Sequence, residues 1–185
     1  MFDYQHGRRC GLRALQERFP ALRPVPLAEL ERKHDEQLKA DYPRLLDGSL
    51  SVEESRLRRI RSLCQLYRLA LDEREALQAS HLYESHYQAN RRPVPGALSL
   101  LKHLRGKVAT AIVTNGHSVR QREKIAVCEL EPLVDAVVIS EEVGIVKPDS
   151  RIFMEALRRL QRVASEALFI GDSWESDILG AHSCG

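Results

Sequence analysis

Hydrophobic positions divide the 185-residue chain into two textures. From Gly7 to about Arg92 the apolar residues recur at helical spacing. Leu12, Leu15 and Phe19 form one stripe, which predicts a helix ending at the prolines Pro20, Pro24 and Pro26. A second helix is expected from Leu27 towards Leu46, stopping near Asp47-Gly48. Ser51, followed three residues later by Glu54, makes a capping box and starts a third helix, carried by Leu57, Ile60, Leu63 and Cys64. A fourth is expected from about Asp72 to Ala89. Strand-like alternation is absent from this stretch, which reads as a bundle of about four helices.

After the turn Pro93-Val94-Pro95-Gly96 the pattern changes. A helical stretch through Gly106 leads to Val108–Val113, a short continuous apolar run of the buried parallel-strand kind. Helical residues from Ser118 to Leu130 follow, then a second run, Asp135–Ile139. A helix over Arg151–Leu160 and a third run, Ala167–Ile170, complete the series. Strands alternating with helices predict βαβ units, an α/β class and a Rossmann-like parallel sheet. The expected division is therefore residues 1–14 as a linker and first helix, 15–91 as the rest of the helical bundle, and 92–185 as the α/β core.

In such sheets chemistry gathers at the carboxyl ends of the strands, and each run here ends in a polar cluster. Thr114-Asn115-Gly116-His117 follows the first, offering a hydroxyl, an amide and a glycine-loosened turn to an anion. Lys147, held extended by Pro148, follows the second at some distance, and its ammonium suits phosphate charge. Gly171-Asp172 ends the third, with Asp177 five residues on, and two such carboxylates suit one hard cation with several waters. Taken singly, these clusters also read as a plain strand-to-helix turn, a solvated loop lysine and helix N-caps. N-capping explains the pair of aspartates less well than it explains either one.

Taken in order, T-N-G, then V-K-P-D, then G-D-S-x-x-S-D-I-x-G-A resemble the second, third and fourth motifs of the haloacid dehalogenase-like (HAD) phosphohydrolase superfamily. The preceding helices resemble that family's inserted helical cap, so the resemblance covers nearly the whole chain. It is closest to the pyrimidine-nucleotidase-like and sugar-phosphate phosphatases. It implies a magnesium-dependent (Mg2+) hydrolysis of small phosphorylated metabolites through an aspartyl-phosphate. Thr114 and the Asn115 amide would hold the phosphoryl group, and Lys147 would balance its charge. Asp172 would ligate the metal, Asp177 would support it through water or Lys147, and the cap would choose the leaving group. The motif-one sequence D-x-D-x-T does not occur among the 185 residues. Asp3 is a poor substitute, because no apolar strand precedes it and Gln5 stands where a second aspartate belongs. The expectation is a core incomplete at both ends, from a chain that is a fragment or has a miscalled start, and inactive as it stands. The alternative is a non-catalytic relative that binds a phosphorylated ligand.

Composition narrows the partners. With 28 Lys and Arg against 26 Asp and Glu the net charge is +2, which gives no basic field for nucleic acid or an anionic membrane. No apolar run is long enough to span a bilayer, and MFDYQHGRRC lacks a signal-peptide core. The four cysteines have no C-x-x-C spacing, which points to a reducing, cytoplasmic setting. Arg56, Arg58, Arg59 and Arg61 spread around one helix and are expected mostly in solvent. His81 and His86, five apart, do not share a face as zinc ligands would.

Overall fold

In the computed structural model, which describes residues 1–185, three of the first four helices start where a side chain caps them. Helix α1 (Tyr4–Arg18) begins with Asp3 accepting from the His6 N–H at 3.0 Å. It stops at Phe19, before Pro20, since a residue preceding proline avoids the helical region. Helix α2 spans Leu27–Leu46. Helices α3 (Val52–Leu66) and α4 (Glu73–Ala89) both open with complete capping boxes, Ser51 with Glu54 and Asp72 with Glu75. Asp3 and Arg92 close the segment on itself through an ion pair at 3.0 Å and a backbone bond at 3.0 Å.

These four helices form one compact unit, Asp3–Arg92. Leu12, Leu15 and Phe19 of the α1 stripe and its C-cap meet Leu30, Ile60, Leu63, Cys64, Ala79 and Tyr83 in its core. Helices α1 and α4 approach closely because Gly7 and Gly11 face Tyr87 and Tyr83; a Cβ on Gly11 would lie 2.7 Å from the Tyr83 ring and 2.8 Å from its carbonyl oxygen. Arg58 and Arg61 are exposed as expected, but Arg56 and Arg59 are buried, which corrects the expectation of a mostly solvated set. The reason for Arg56 lies on another helix: Glu84 pairs with its guanidinium at 2.6 Å and Ser80 accepts from its Nε at 3.2 Å. His34 is also wholly buried, its ring stacked on Tyr83.

The second unit comprises Met1–Phe2 and Pro93–Gly185. Strand β1 (Ala111–Thr114) and strand β2 (Ala136–Ile139) run parallel, with Ala111 opposite Ala136 and Thr114 opposite Ile139. Ile112 and Val137 pack into a cluster with Leu101 of α5 (Ala97–Leu104) and Ile125 of α6 (Ser118–Val127). Ala111, Val113 and Val138 instead join Ile152, Phe153 and Ala156 of a later helix, Ser150–Leu160. This period-two division of side chains places helices on both faces of a small parallel sheet, an α/β fold. The short helix α7 (Ser140–Val143) follows β2 directly, so Ser150–Leu160 is α8; a π-helical turn, Trp174–Leu179, leads into α9 (Gly180–His182).

Two expectations about strands need correction. The first strand starts at Ala111, since Val108 is exposed and outside the ladder. The third run, Ala167–Ile170, forms no strand: the sheet contains β1 and β2 alone. Phe169 turns inward and meets Phe153 edge-on at 4.9 Å, while Leu168 and Ile170 are 85% and 79% exposed. An extended run becomes a strand only where a neighbour supplies backbone donors and acceptors, and none of these residues does so here.

The Gly11→Ala substitution places its methyl against a backbone carbonyl that cannot rotate away. It is expected to destabilise the helical unit by about 1–3 kcal/mol, read from its urea midpoint. Burial drives the His34 pKa from 6.5 down to about 4. The unfolded chain then takes up a proton first as pH falls, so stability is lost between pH 6.5 and 4. That loss amounts to about 3 kcal/mol, and urea midpoints across this range should become flatter in His34→Leu.

Candidate functional site

The loop before α8 carries Lys147, and its main chain is fixed before its side chain matters. The Asn115 side chain accepts from the Lys147 N–H at 2.9 Å and donates to the Lys147 carbonyl at 3.0 Å. This reciprocal pair joins the end of β1 to the Lys147–Pro148 loop. From there the ammonium reaches Asp177 Oδ1 at 2.6 Å and the Val113 carbonyl at 3.1 Å, above the Phe169 ring. The side chains of Lys147 and Asp177 are only 11% and 7% exposed. Because an ammonium has three donors, two fixed contacts leave one N–H for a further acceptor.

Both oxygens of Asp177 are committed. Oδ1 takes the lysine, and Oδ2 accepts from the N–H groups of Asp172 at 3.2 Å and Ser173 at 3.1 Å. Gly171 makes room for this arrangement: a Cβ there would lie 2.4 Å from Asp177 Oδ2. Asp172 is the opposite case, with an exposed side chain and a carboxylate that accepts no hydrogen bond and joins no ion pair. Of the two aspartates, Asp177 organises the loop and Asp172 remains open to a cation.

The turn after β1 is braced from the β2 end. The Gly116 N–H donates to Ser140 Oγ at 2.9 Å, the Ser118 N–H donates to Glu141 at 2.6 Å, and the His117 ring meets the same carboxylate at 2.8 Å. The Ser118 N–H foremost, and then His117, hold the Glu141 carboxyl below its ordinary pKa. The first α6 donor is thereby occupied by a carboxylate of this chain. Thr114 Oγ1 makes only a long contact, 3.4 Å, to the Asn115 carbonyl. Ser140 and Glu141 escaped the sequence reading; their signal was position, directly after a strand end.

The structure thus brings Thr114, Asn115, Lys147 and Asp177 together, with Asp172 on the same loop as Asp177. Asn115 differs from the expected role in one respect: its side-chain amide is occupied by Lys147, leaving its main-chain N–H as the group to consider for an anion. Trp174 is exposed beside this loop. Asp3 belongs to the helical unit, where it caps α1.

A family model described as haloacid dehalogenase-like hydrolase matches residues 11–185. The chain belongs to this family. It is 44% identical over 94 residues to the pyrimidine 5'-nucleotidase YjjG of Escherichia coli, covering 50% of this chain and 42% of that protein. It is 36% identical over 123 residues to the glyceraldehyde 3-phosphate phosphatase of Methanopyrus kandleri, covering 65% of this chain and 53% of that one. The chain therefore spans about half the length of these curated relatives. The magnesium-bound structure of YfnB from Bacillus subtilis superposes with a TM-score of 0.72 at 24% identity, over 100% of this chain and 80% of that one, which speaks for the HAD fold.

Removing one partner of a buried ion pair strands the other. Asp177→Asn is expected to destabilise the α/β unit by about 3–5 kcal/mol. Asp172→Asn, on an exposed and unpaired side chain, should stay within about 0.5 kcal/mol of the parent. Paired thermal melts of the two variants test this contrast.

Proposed function

We propose that this chain carries the phosphoryl-binding and metal-binding part of a phosphatase acting on small phosphorylated metabolites. The observation that carries the reading is Lys147, a nearly buried ammonium fixed at the strand ends with one donor unspent, beside the open carboxylate of Asp172. The names of the relatives, a nucleotidase and a sugar-phosphate phosphatase, support the same substrate class.

In this reading the Thr114 hydroxyl and the Asn115 main-chain N–H bind phosphoryl oxygens. The third N–H of Lys147 meets another oxygen and offsets charge as the phosphoryl group transfers. Asn115 and Asp177 are positioning residues, one setting the lysine main chain and the other its ammonium. Mg2+ would be held by Asp172 with water and phosphate oxygens, and would offset phosphoryl charge when bound. An open, unpartnered carboxylate fits that ion, whereas the saturated Asp177 acts only through Lys147 and the loop. The aspartyl-phosphate route needs a nucleophilic carboxylate of the D-x-D-x-T kind, which these residues do not contain. No helix is long and apolar enough to cross a membrane.

The test compares the 185 residues with the same residues carrying an added D-x-D-x-T strand, using an aryl phosphate with and without Mg2+. The unextended chain should be inactive. The extended one should turn over only with Mg2+, and Lys147→Met should lower its kcat by about 10²–10³-fold. A folded, extended chain without turnover would favour a non-catalytic phosphate-binding protein instead.

A further inference from the structure

The turn that follows β1 contains the pair Asn115-Gly116, and Gly116 is needed there for its conformation: its φ of +122° lies where a side chain is strained. The same lack of a side chain makes the pair chemically labile. In a mobile chain the main-chain nitrogen after an asparagine can reach the side-chain carbonyl carbon, and glycine puts no obstacle in its way. Asparagine is among the thermolabile residues. The other asparagine of the chain, Asn90, precedes Arg91, whose side chain hinders the same approach.

In the fold every polar group of the reacting unit is held. The Asn115 side chain lies against the Lys147 main chain through bonds of 2.9 and 3.0 Å. The Gly116 N–H donates to Ser140 Oγ at 2.9 Å, and the Asn115 carbonyl accepts from Gln121 Nε2 at 3.0 Å. The peptide plane between the two residues is thus fixed on both sides, by Gln121 of α6 and by Ser140 at the start of α7. Ring closure requires that plane to turn towards the Asn115 side chain, and the side chain to leave Lys147. Ser140 is 4% exposed, so its hydroxyl is not exchanged for water while the turn stays closed.

We infer that Asn115-Gly116 is a self-deamidation site, which the fold holds closed through Ser140 and Lys147 and which reacts when the turn after β1 opens. In the reaction the Gly116 nitrogen loses its proton and bonds to the side-chain carbonyl carbon of Asn115. The bond from that carbon to the amide nitrogen breaks, and the nitrogen leaves with the proton as ammonia. Water then opens the cyclic imide at either carbonyl, giving aspartate or isoaspartate. Either product loses the donor to the Lys147 carbonyl; aspartate sets a carboxylate against that carbonyl, and isoaspartate lengthens the main chain by a methylene. The loop that places the Lys147 ammonium is thereby released. What this does to phosphate binding rests on the function proposed for Lys147, whereas the modification itself does not.

The test incubates the full chain in mildly alkaline buffer and follows the peptide containing residue 115 by mass spectrometry. The folded parent should retain its amide, and the chain in denaturing urea should lose it while Asn90 stays intact. Folded Ser140→Ala should deamidate about three- to tenfold faster than the parent, the gain in turn opening expected from one lost hydrogen bond. In the parent under sub-denaturing urea, the rate should rise in step with exchange of the Gly116 N–H followed by NMR. This second measurement stands even where Ser140→Ala does not fold. The proposal is overturned if the folded parent reacts as fast as the unfolded chain, if the unfolded chain keeps its amide, or if folded Ser140→Ala reacts no faster than the parent. It is also overturned if the rate is independent of Gly116 exchange. No reading involves phosphate, so a failure of the site at Lys147 would leave all of them unchanged.

Discussion

Lys147 meets Asp177 across thirty residues of sequence, in a place where neither charge can be left alone. Such a pair gains little net stability over a well-packed apolar pair, but either charge without the other is costly. The consequence is positional. Asp177 must stand where the lysine ends, and its other oxygen then fixes the N–H groups of Asp172 and Ser173. Gly171 must lack a side chain for the carboxylate to reach that point. The lysine in turn is placed by Asn115 and by the Val113 carbonyl, both at the end of β1. One ion pair therefore couples the end of β1, the loop before α8 and the loop after the third apolar run, three segments that no strand ladder joins.

Legibility in the sequence followed the range of the interactions. Helices α1 to α4 could be read because amphipathic spacing and capping boxes are local: Ser51 with Glu54 and Asp72 with Glu75 are set by residues three apart. The runs that became β1 and β2 could be read as buried parallel strands because both faces are covered by helices. The third run had the same local texture, yet its backbone has no neighbour and two of its aliphatic side chains face outward. Apolar content is a property of a segment, whereas strandhood is a property of a pair.

The candidate site divides in the same way. Thr114, Lys147, Asp172 and Asp177 could be singled out because each lies in a short polar cluster after an apolar run. Their division of labour could not, because it depends on who satisfies whom across the fold. Nothing in the spacing of the two aspartates says that Asp177 is saturated and Asp172 open. Likewise Ser140 and Glu141 brace Gly116, His117 and Ser118 from more than twenty residues away. The buried arginines failed for the same reason, since a charged helix position defaults to solvent until a partner on another helix, such as Glu84, is known.

Comparing the buried cations gives a physical criterion for structure against function. Arg8 and Arg56 are each matched by carboxylates, and their charges are used up within the fold. Lys147 is matched by Asp177 and retains one donor, a group held rigidly and not fully consumed. Arg59 is matched by no carboxylate and sits beside a histidine whose nitrogens are both unused. Folding alone favours the first arrangement and tolerates the second. The third lowers stability, because a buried guanidinium with no carboxylate beside it has its desolvation only partly offset by neutral acceptors such as the Ser55 carbonyl.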